Sequence, residues 1–112
     1  MNTDYTQKQY ITKKYVTKEL EDYLKSNLLS VSIDTGSHLV NIGISILETK
    51  FPEIGPGYSG GSFVQSVVNN DLVGAIGKAD NINIKFMKFY CILLYNFVPN
   101  QLNYKTLTNN ER

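Results

Sequence analysis

The spacing of apolar residues predicts a helix in the first quarter of the chain. These residues recur at intervals of three and four, which places them on one helical face: Leu20, Tyr23, Leu24 and Leu28. Thr17 is a suitable N-cap, and acidic residues follow it where the helix dipole favours negative charge. We therefore expect a helix over residues 17–27. Residues 1–16 fit neither a helical nor a strand period well, and they could fray or serve as an arm.

Between residues 29 and 47 the period changes to two. Apolar residues alternate with polar ones in two runs, Leu29, Val31 and Ile33 and then Val40, Ile42, Ile44 and Ile46. Strict alternation of β-branched residues predicts strands, and Asp34-Thr35-Gly36-Ser37 has turn chemistry, so we expect a β-hairpin. The alternative is a second helix beginning at Ser37. Gly43 and the β-branched run argue against that helix.

A glycine-rich turn separates this region from a predicted helical half. The turn reads Gly55-Pro56-Gly57-Tyr58-Ser59-Gly60-Gly61-Ser62, and a helix is expected to begin near Ser62 and to end at Asn69-Asn70. Asp71 is positioned to cap a segment over 72–79, and Asp80 to cap a last helix over 81–97, before Pro99.

These elements predict a single small α+β domain over residues 1–112, with an all-α fold as the alternative. Its parts are an arm (1–16), a helix plus hairpin (17–50), a helical half (60–99) and a loose polar tail (100–112).

The charge and the cysteine and histidine content argue against several classes of partner and site for this chain. The net charge of +1 gives no electrostatic footprint for nucleic acid or for an acidic membrane surface, so neither is expected as a partner. A single cysteine, Cys91, rules out an internal disulfide and a thiolate metal cluster. His38 has no pair of suitably spaced carboxylates, so we expect no metal site and no cofactor. The polar N-terminus does not resemble a signal peptide and residues 89–98 are too few to span a bilayer, which indicates a cytoplasmic protein.

The glycine-rich turn is the first candidate site. Glycines before a helix leave backbone N–H groups free for an anion, and nearby hydroxyls and amides could add contacts. The expected ligand-binding residues for a small anionic, nucleotide-type ligand are Tyr58, Ser59, Gly60, Gly61, Ser62, Phe63, Asn70, Asp80 and Asn83. In the alternative, the glycines only supply positive φ and the Asp and Asn residues only cap helices.

A second candidate is Asp34. Asp34-Thr35-Gly36 after an alternating run resembles the signature of retroviral-type aspartic proteases, which implies a dimer that pairs two such carboxylates. The resemblance covers about six residues, and the helical second half does not suit that all-β fold. A Cys91–His38 dyad is the weaker option, because a cysteine inside an apolar helix is expected to be buried and inert.

The last predicted helix is apolar on nearly every side after Lys88. Such a helix is either central in the core or buried by a partner. Because a domain of this size has little protein to cover it, we expect a homo-oligomer assembled through residues 82–98.

The second half also resembles a group of short phage and prophage proteins. The shared pattern stands here as Gly61-Ser62-Phe63, Asn70-Asp71-Leu72, Ala75, Ala79-Asp80-Asn81-Ile82-Asn83 and Leu94-Tyr95-Asn96 before a Pro. The resemblance, over residues 60–99, implies a mobile-element protein with a helical second half and supplies no known activity. By analogy, we expect a non-enzymatic binding protein that sequesters a nucleotide-type ligand or inhibits a host defence protein. A dimeric protease that uses Asp34 and a structural or regulatory oligomer are the alternatives.

Overall fold

The computed structural model describes residues 3–54 and 61–97, with side chains from residue 7 onward. In the first range, α1 spans Thr3–Ser26, α2 spans Ile33–Lys50, and a 3₁₀ turn covers Pro52–Ile54. In the second range, α3 spans Ser62–Val68, α4 Leu72–Lys78, α5 Asn81–Lys85 and α6 Met87–Asn96. Neither of these two ranges contains a strand.

The predicted α+β fold is therefore wrong, and the chain is all-α. Most of the predicted hairpin, residues 33–47, lies in α2, whereas residues 29–32 precede the helix. Ser32 caps α2: its hydroxyl accepts a hydrogen bond from the Thr35 backbone N–H at 3.1 Å. Asp34-Thr35-Gly36-Ser37, predicted to be a turn between strands, lies in the first part of the helix. The all-α alternative was the better prediction, and its helix begins at Ile33 rather than Ser37.

Gly43 has a packing role that explains its presence inside α2. A Cβ atom built there would lie 2.8 Å from Leu93 Cδ1 of α6 and 2.9 Å from Val16 Cγ1 of α1. Both distances are shorter than side chains tolerate, so the absence of a side chain lets three helices approach one another. The glycine that argued against a helix is thus a point at which α2 packs closely against α1 and α6.

Helix α1 is longer than predicted. It begins at Thr3 rather than Thr17, so residues 3–16 are not an arm. Thr12, Val16 and Leu20 are buried at intervals of four, which continues the apolar face towards the N-terminus. Tyr10 is 62% exposed and Tyr15 is half-buried, so the spacing of five between these tyrosines does not follow the buried face.

The second half is helical, as predicted, and both acidic caps are confirmed. Asp71 accepts a hydrogen bond from the Gly74 N–H at 3.0 Å, and Asp80 accepts one from the Asn83 N–H at 2.7 Å. The predicted last helix over 81–97 is interrupted at Phe86, which ends α5 and precedes α6.

Helix α6 contributes one face to the core. Its buried residues Phe89, Tyr90 and Leu93 pack among rings and aliphatic side chains from α1, α2 and α3, and Phe97 directly beyond it contacts Tyr15 and Phe51. Within the part of the chain that is described, no helix combines the length and the apolar character that crossing a membrane requires.

Candidate functional site

A cleft of about 380 Å³ opens between α3, α4 and α6. We call it the α3–α4–α6 cleft. Most of its wall is apolar, and these residues form it: Val67, Val68, Leu72, Ala75, Met87 and Leu94. Its remaining lining residues carry polar atoms, a ring or a thiol: Lys50, Ser66, Asn70, Asp71, Cys91 and Tyr95.

A tight reversal between α3 and α4 shapes one side of the cleft. Asn70 follows α3 with a φ of 62°, in the left-handed region that asparagine tolerates better than most residues. The Asn70 N–H donates to the Val67 carbonyl at 3.2 Å, and the Asp71 N–H donates to the Ser66 carbonyl at 2.8 Å. These bonds close the end of α3 and turn α4 back against it, so that both helices present apolar residues to the same space.

The polar side chains on this side of the cleft make local hydrogen bonds. The Asp71 carboxylate caps α4, and the Lys78 ammonium donates to the Ser66 hydroxyl at 3.4 Å. Gly74 lies beneath them: an added Cβ would collide with the Asp71 carboxylate and would come within 3.0 Å of Ser66 Oγ. A larger residue at position 74 would therefore displace this polar cluster, which borders the cleft.

Lys50 and Tyr95 add different chemistry. Lys50 is the basic residue in the last turn of α2 and is exposed, while the Tyr95 side chain, near the end of α6, is 89% exposed. An ammonium group can pair with an anion, and an exposed ring can stack on a flat ligand. The cleft thus combines an apolar wall with one cationic and one aromatic contact.

Asn83 and Tyr90 form a buried pair outside the cleft. The Tyr90 hydroxyl donates to Asn83 Oδ1 at 2.6 Å, joining α5 to α6 across the break at Phe86. Burial, and to a lesser degree the charge of Asp80, raises the pKa of Tyr90 above its usual value, because the phenolate would lose its hydration. Tyr90 therefore stays a neutral donor that holds the two helices together.

The structure does not bring the ligand-binding residues predicted from the sequence together. Tyr58, Ser59 and Gly60 lie outside the described residues, and Gly61 is the N-cap of α3 without a side-chain bond. Ser62 is exposed, whereas Phe63 is buried with its ring 5.8 Å from that of Tyr90.

Of the three remaining predicted residues, only one reaches the cleft. Asn70 lines it, whereas Asp80 caps α5 and Asn83 is buried against Tyr90. The predicted set therefore does not form one described site.

Sequence reasoning missed Lys50, Cys91, Leu94 and Tyr95. Cys91, Leu94 and Tyr95 occur at helical spacing, at positions i, i+3 and i+4, which is a signal for a shared face. That signal could not show that this face would border a cleft. The expectation that Cys91 is buried is wrong, because its side chain is exposed and lines the cleft.

The catalytic alternatives lack the geometry that they need. Asp34 is exposed in the first turn of α2 and does not follow a strand, so the structural context of an aspartic protease is missing. His38 does not line the cleft that contains Cys91. Among the described side chains, no group of three or more His, Cys, Asp or Glu residues is placed to hold a metal ion.

Comparison of the chain with protein-family models, with curated proteins and with solved structures gave no match. The resemblance to phage and prophage proteins therefore stays a prediction from the sequence.

Proposed function

We propose that this chain is a non-enzymatic binding protein that sequesters a small ligand in the α3–α4–α6 cleft. The observation that carries the proposal is the cleft itself: its volume of about 380 Å³ falls within the range of small-molecule sites. Such sites are lined mainly by apolar side chains with a few polar groups that orient the ligand, as this one is.

The lining residues define the chemistry of the ligand. The apolar wall suits a flat or hydrophobic body, Tyr95 offers a ring for stacking, and Lys50 offers a positive charge. A ligand with an aromatic body and one anionic group, such as a mononucleotide or an aromatic carboxylate, meets all three contacts. The proposal does not depend on the glycine-rich turn: of the turn residues that the structure describes, Gly61 and Ser62, neither lines the cleft.

The proposed cellular location rests on the sequence resemblance to phage and prophage proteins. We place the protein in the cytoplasm of a phage-infected cell, where sequestering a nucleotide-type signal would be useful to the phage.

Thermal unfolding with two probes, adenosine monophosphate and indole-3-acetate, tests the proposal. At a probe concentration about 100 times Kd, binding to the folded state adds about 2.7 kcal/mol to the free energy of unfolding. For a domain of this size, that gain corresponds to a rise in Tm of roughly 10 °C. At least one probe is expected to produce a concentration-dependent rise.

The Lys50→Gln and Lys25→Gln variants provide the control. Each lysine is the basic residue in the last turn of its helix, but only Lys50 lines the cleft. The rise in Tm should shrink in Lys50→Gln and persist in Lys25→Gln. Absence of any rise with both probes, or an equal rise in the two variants, contradicts the proposal.

A further inference from the structure

Two polar side chains meet at the α3–α4–α6 cleft where α4 folds back against α3. Ser66 of α3 and Asp71, the N-cap of α4, both line the cleft. A Cβ atom added at Gly74 would collide with Asp71 Oδ2 and would lie 3.0 Å from Ser66 Oγ, so both oxygen atoms border the same small space. We call Ser66 and Asp71 the polar pair of the cleft.

Asp71 brings a hydrogen-bond acceptor that capping does not use. Its Oδ1 atom accepts from the Gly74 N–H at 3.0 Å. Within the part of the chain that is described, its Oδ2 atom accepts no hydrogen bond. An ionised carboxylate can only accept hydrogen bonds, so Oδ2 is available to a ligand group that donates one.

Ser66 brings a donor to the same place. The residue is only 5% exposed, and the Lys78 ammonium lies 3.4 Å from its oxygen. An ammonium has no acceptor, so Lys78 donates and Ser66 accepts, which leaves the hydrogen of the Ser66 hydroxyl to be donated elsewhere. No described residue accepts it. Because buried polar groups are nearly always hydrogen-bonded, an unused donor on the wall of a cleft points to an acceptor on a ligand.

The ligand group that satisfies the polar pair must both donate and accept. An ammonium only donates, and a carboxylate or a phosphate only accepts, so each of these satisfies one member of the pair. A hydroxyl does both, and two neighbouring hydroxyls can donate to Asp71 while they accept from Ser66. Binding of a ribose hydroxyl by a carboxylate is also the arrangement found in dinucleotide-binding folds.

From these features, and resting on the function proposed above, we propose that the cleft selects a ribonucleotide whose 2′- and 3′-hydroxyls bind to Asp71 and Ser66. An aromatic carboxylate would leave the polar pair without a partner. In a 5′-mononucleotide, the base, the phosphate and the two hydroxyls are attached to different carbons of the sugar. Tyr95, Lys50 and the polar pair can therefore each bind a different part of one ligand.

Two nucleotides that differ only in these hydroxyls test the proposal. Adenosine monophosphate carries both hydroxyls, and 2′,3′-dideoxyadenosine monophosphate carries neither, while the base and the phosphate are the same. Isothermal titration calorimetry gives the Kd of each for the full chain. The dideoxy compound leaves a charged acceptor without a donor, so its Kd is expected to be at least about tenfold higher.

Asp71→Asn and Asp80→Asn are matched variants. Each aspartate caps a helix through Oδ1, and asparagine caps a helix about as well as aspartate, so both variants should keep the fold. Only Asp71 lines the cleft. In Asp71→Asn an amide NH₂ replaces Oδ2 and cannot accept, so the preference for adenosine monophosphate should fall at least about threefold. Asp80→Asn should retain the preference.

Ser66→Ala tests the donor without changing a helix cap. It should also reduce the preference for adenosine monophosphate, because the ribose then loses one of its two partners. The Tm of each variant without a nucleotide shows whether the fold is retained.

The outcomes separate the ribose contact from ligand binding itself. Equal Kd values for the two nucleotides, or the same preference in Asp71→Asn as in Asp80→Asn, would overturn the ribose contact and leave the binding function in place. Binding of indole-3-acetate with no binding of either nucleotide would do the same. If none of the three compounds binds, the proposed function fails, and the selectivity for a ribonucleotide fails with it.

Discussion

Glu48 places a carboxyl group inside the protein. The residue is only 2% exposed, and its Oε1 atom has no hydrogen-bond partner. Burial raises the pKa of Glu48 above 4.5, because the charged form loses its hydration on folding. Folding therefore favours the protonated form of Glu48. The stability that this protonated carboxyl contributes is fully present below pH 4.5 and is lost as the pH rises through the pKa of Glu48 in the folded state.

Replacing Glu48 with Gln should remove this pH dependence. Glutamine keeps the shape and does not ionise, so the variant should gain stability relative to the wild type as the pH rises from about 4 to about 8. Thermal unfolding across this range measures the difference in Tm. Glu21→Gln, on the exposed surface of α1, serves as the control and should show little such trend. A difference for Glu48→Gln that is constant with pH contradicts the explanation.

Among single residues, the sequence predicted correctly those whose role depends on neighbours in the chain. Asp71 and Asp80 could be predicted as caps because a cap bonds to a backbone N–H three residues away in the chain. Lys50 and Tyr95 could not be assigned to one cleft. Their relation depends on how the C-terminal end of α2 packs near α6, and this packing leaves no local pattern.

At the scale of elements, α2 shows how two periods can be confused. Ile42, Ile44 and Ile46 alternate with polar or small residues and are β-branched, which is typical of a strand. Yet the buried positions Leu39, Gly43, Ile46 and Leu47 follow a helical period, and tertiary packing outweighs the weak intrinsic preference of isoleucine. The residue that marks the start of the helix is Ser32, its N-cap. This role was missed because Ser32 is also one of the polar residues in the alternating pattern that predicted a strand.

Two glycines of α2 allow the packing of this element to be tested. Gly43→Ala should destabilise the protein by about 1–2 kcal/mol, because overpacking against Val16 and Leu93 exceeds the gain in helix propensity. Gly36→Ala should be neutral or stabilise by up to about 1 kcal/mol, because its Cβ would make an ordinary contact of 3.7 Å with Val31. Chemical denaturation measures both changes. Effects of the same sign at the two sites would contradict the close contact at Gly43.

At the scale of the whole molecule, the packing of the helices leaves the α3–α4–α6 cleft. The cleft was not predictable from the sequence, because it is formed by residues of four helices that are distant along the chain. The apolar character of residues 82–98 predicted a partner surface. The large side chains Phe86, Phe89, Tyr90, Leu93 and Phe97 of this range pack into the core, whereas Ile82, Ile84 and Tyr95 are exposed. The homo-oligomer therefore stays a prediction.

The central claim, that the cleft holds a ligand, can be tested through Cys91. It is the only cysteine of the chain, and its exposed side chain lines the cleft. The rate at which Cys91 reacts with a disulfide reagent such as DTNB therefore reports whether the cleft is occupied.

That rate should be measured with and without adenosine monophosphate or indole-3-acetate. At about ten times Kd, only about a tenth of the clefts are empty, so we predict a rate roughly tenfold lower with at least one probe. The protection should weaken in Lys50→Gln at the same probe concentration and persist in Lys25→Gln. If neither probe changes the rate of Cys91 modification at any concentration up to its solubility limit, the claim that this cleft binds a ligand of the proposed kind is contradicted.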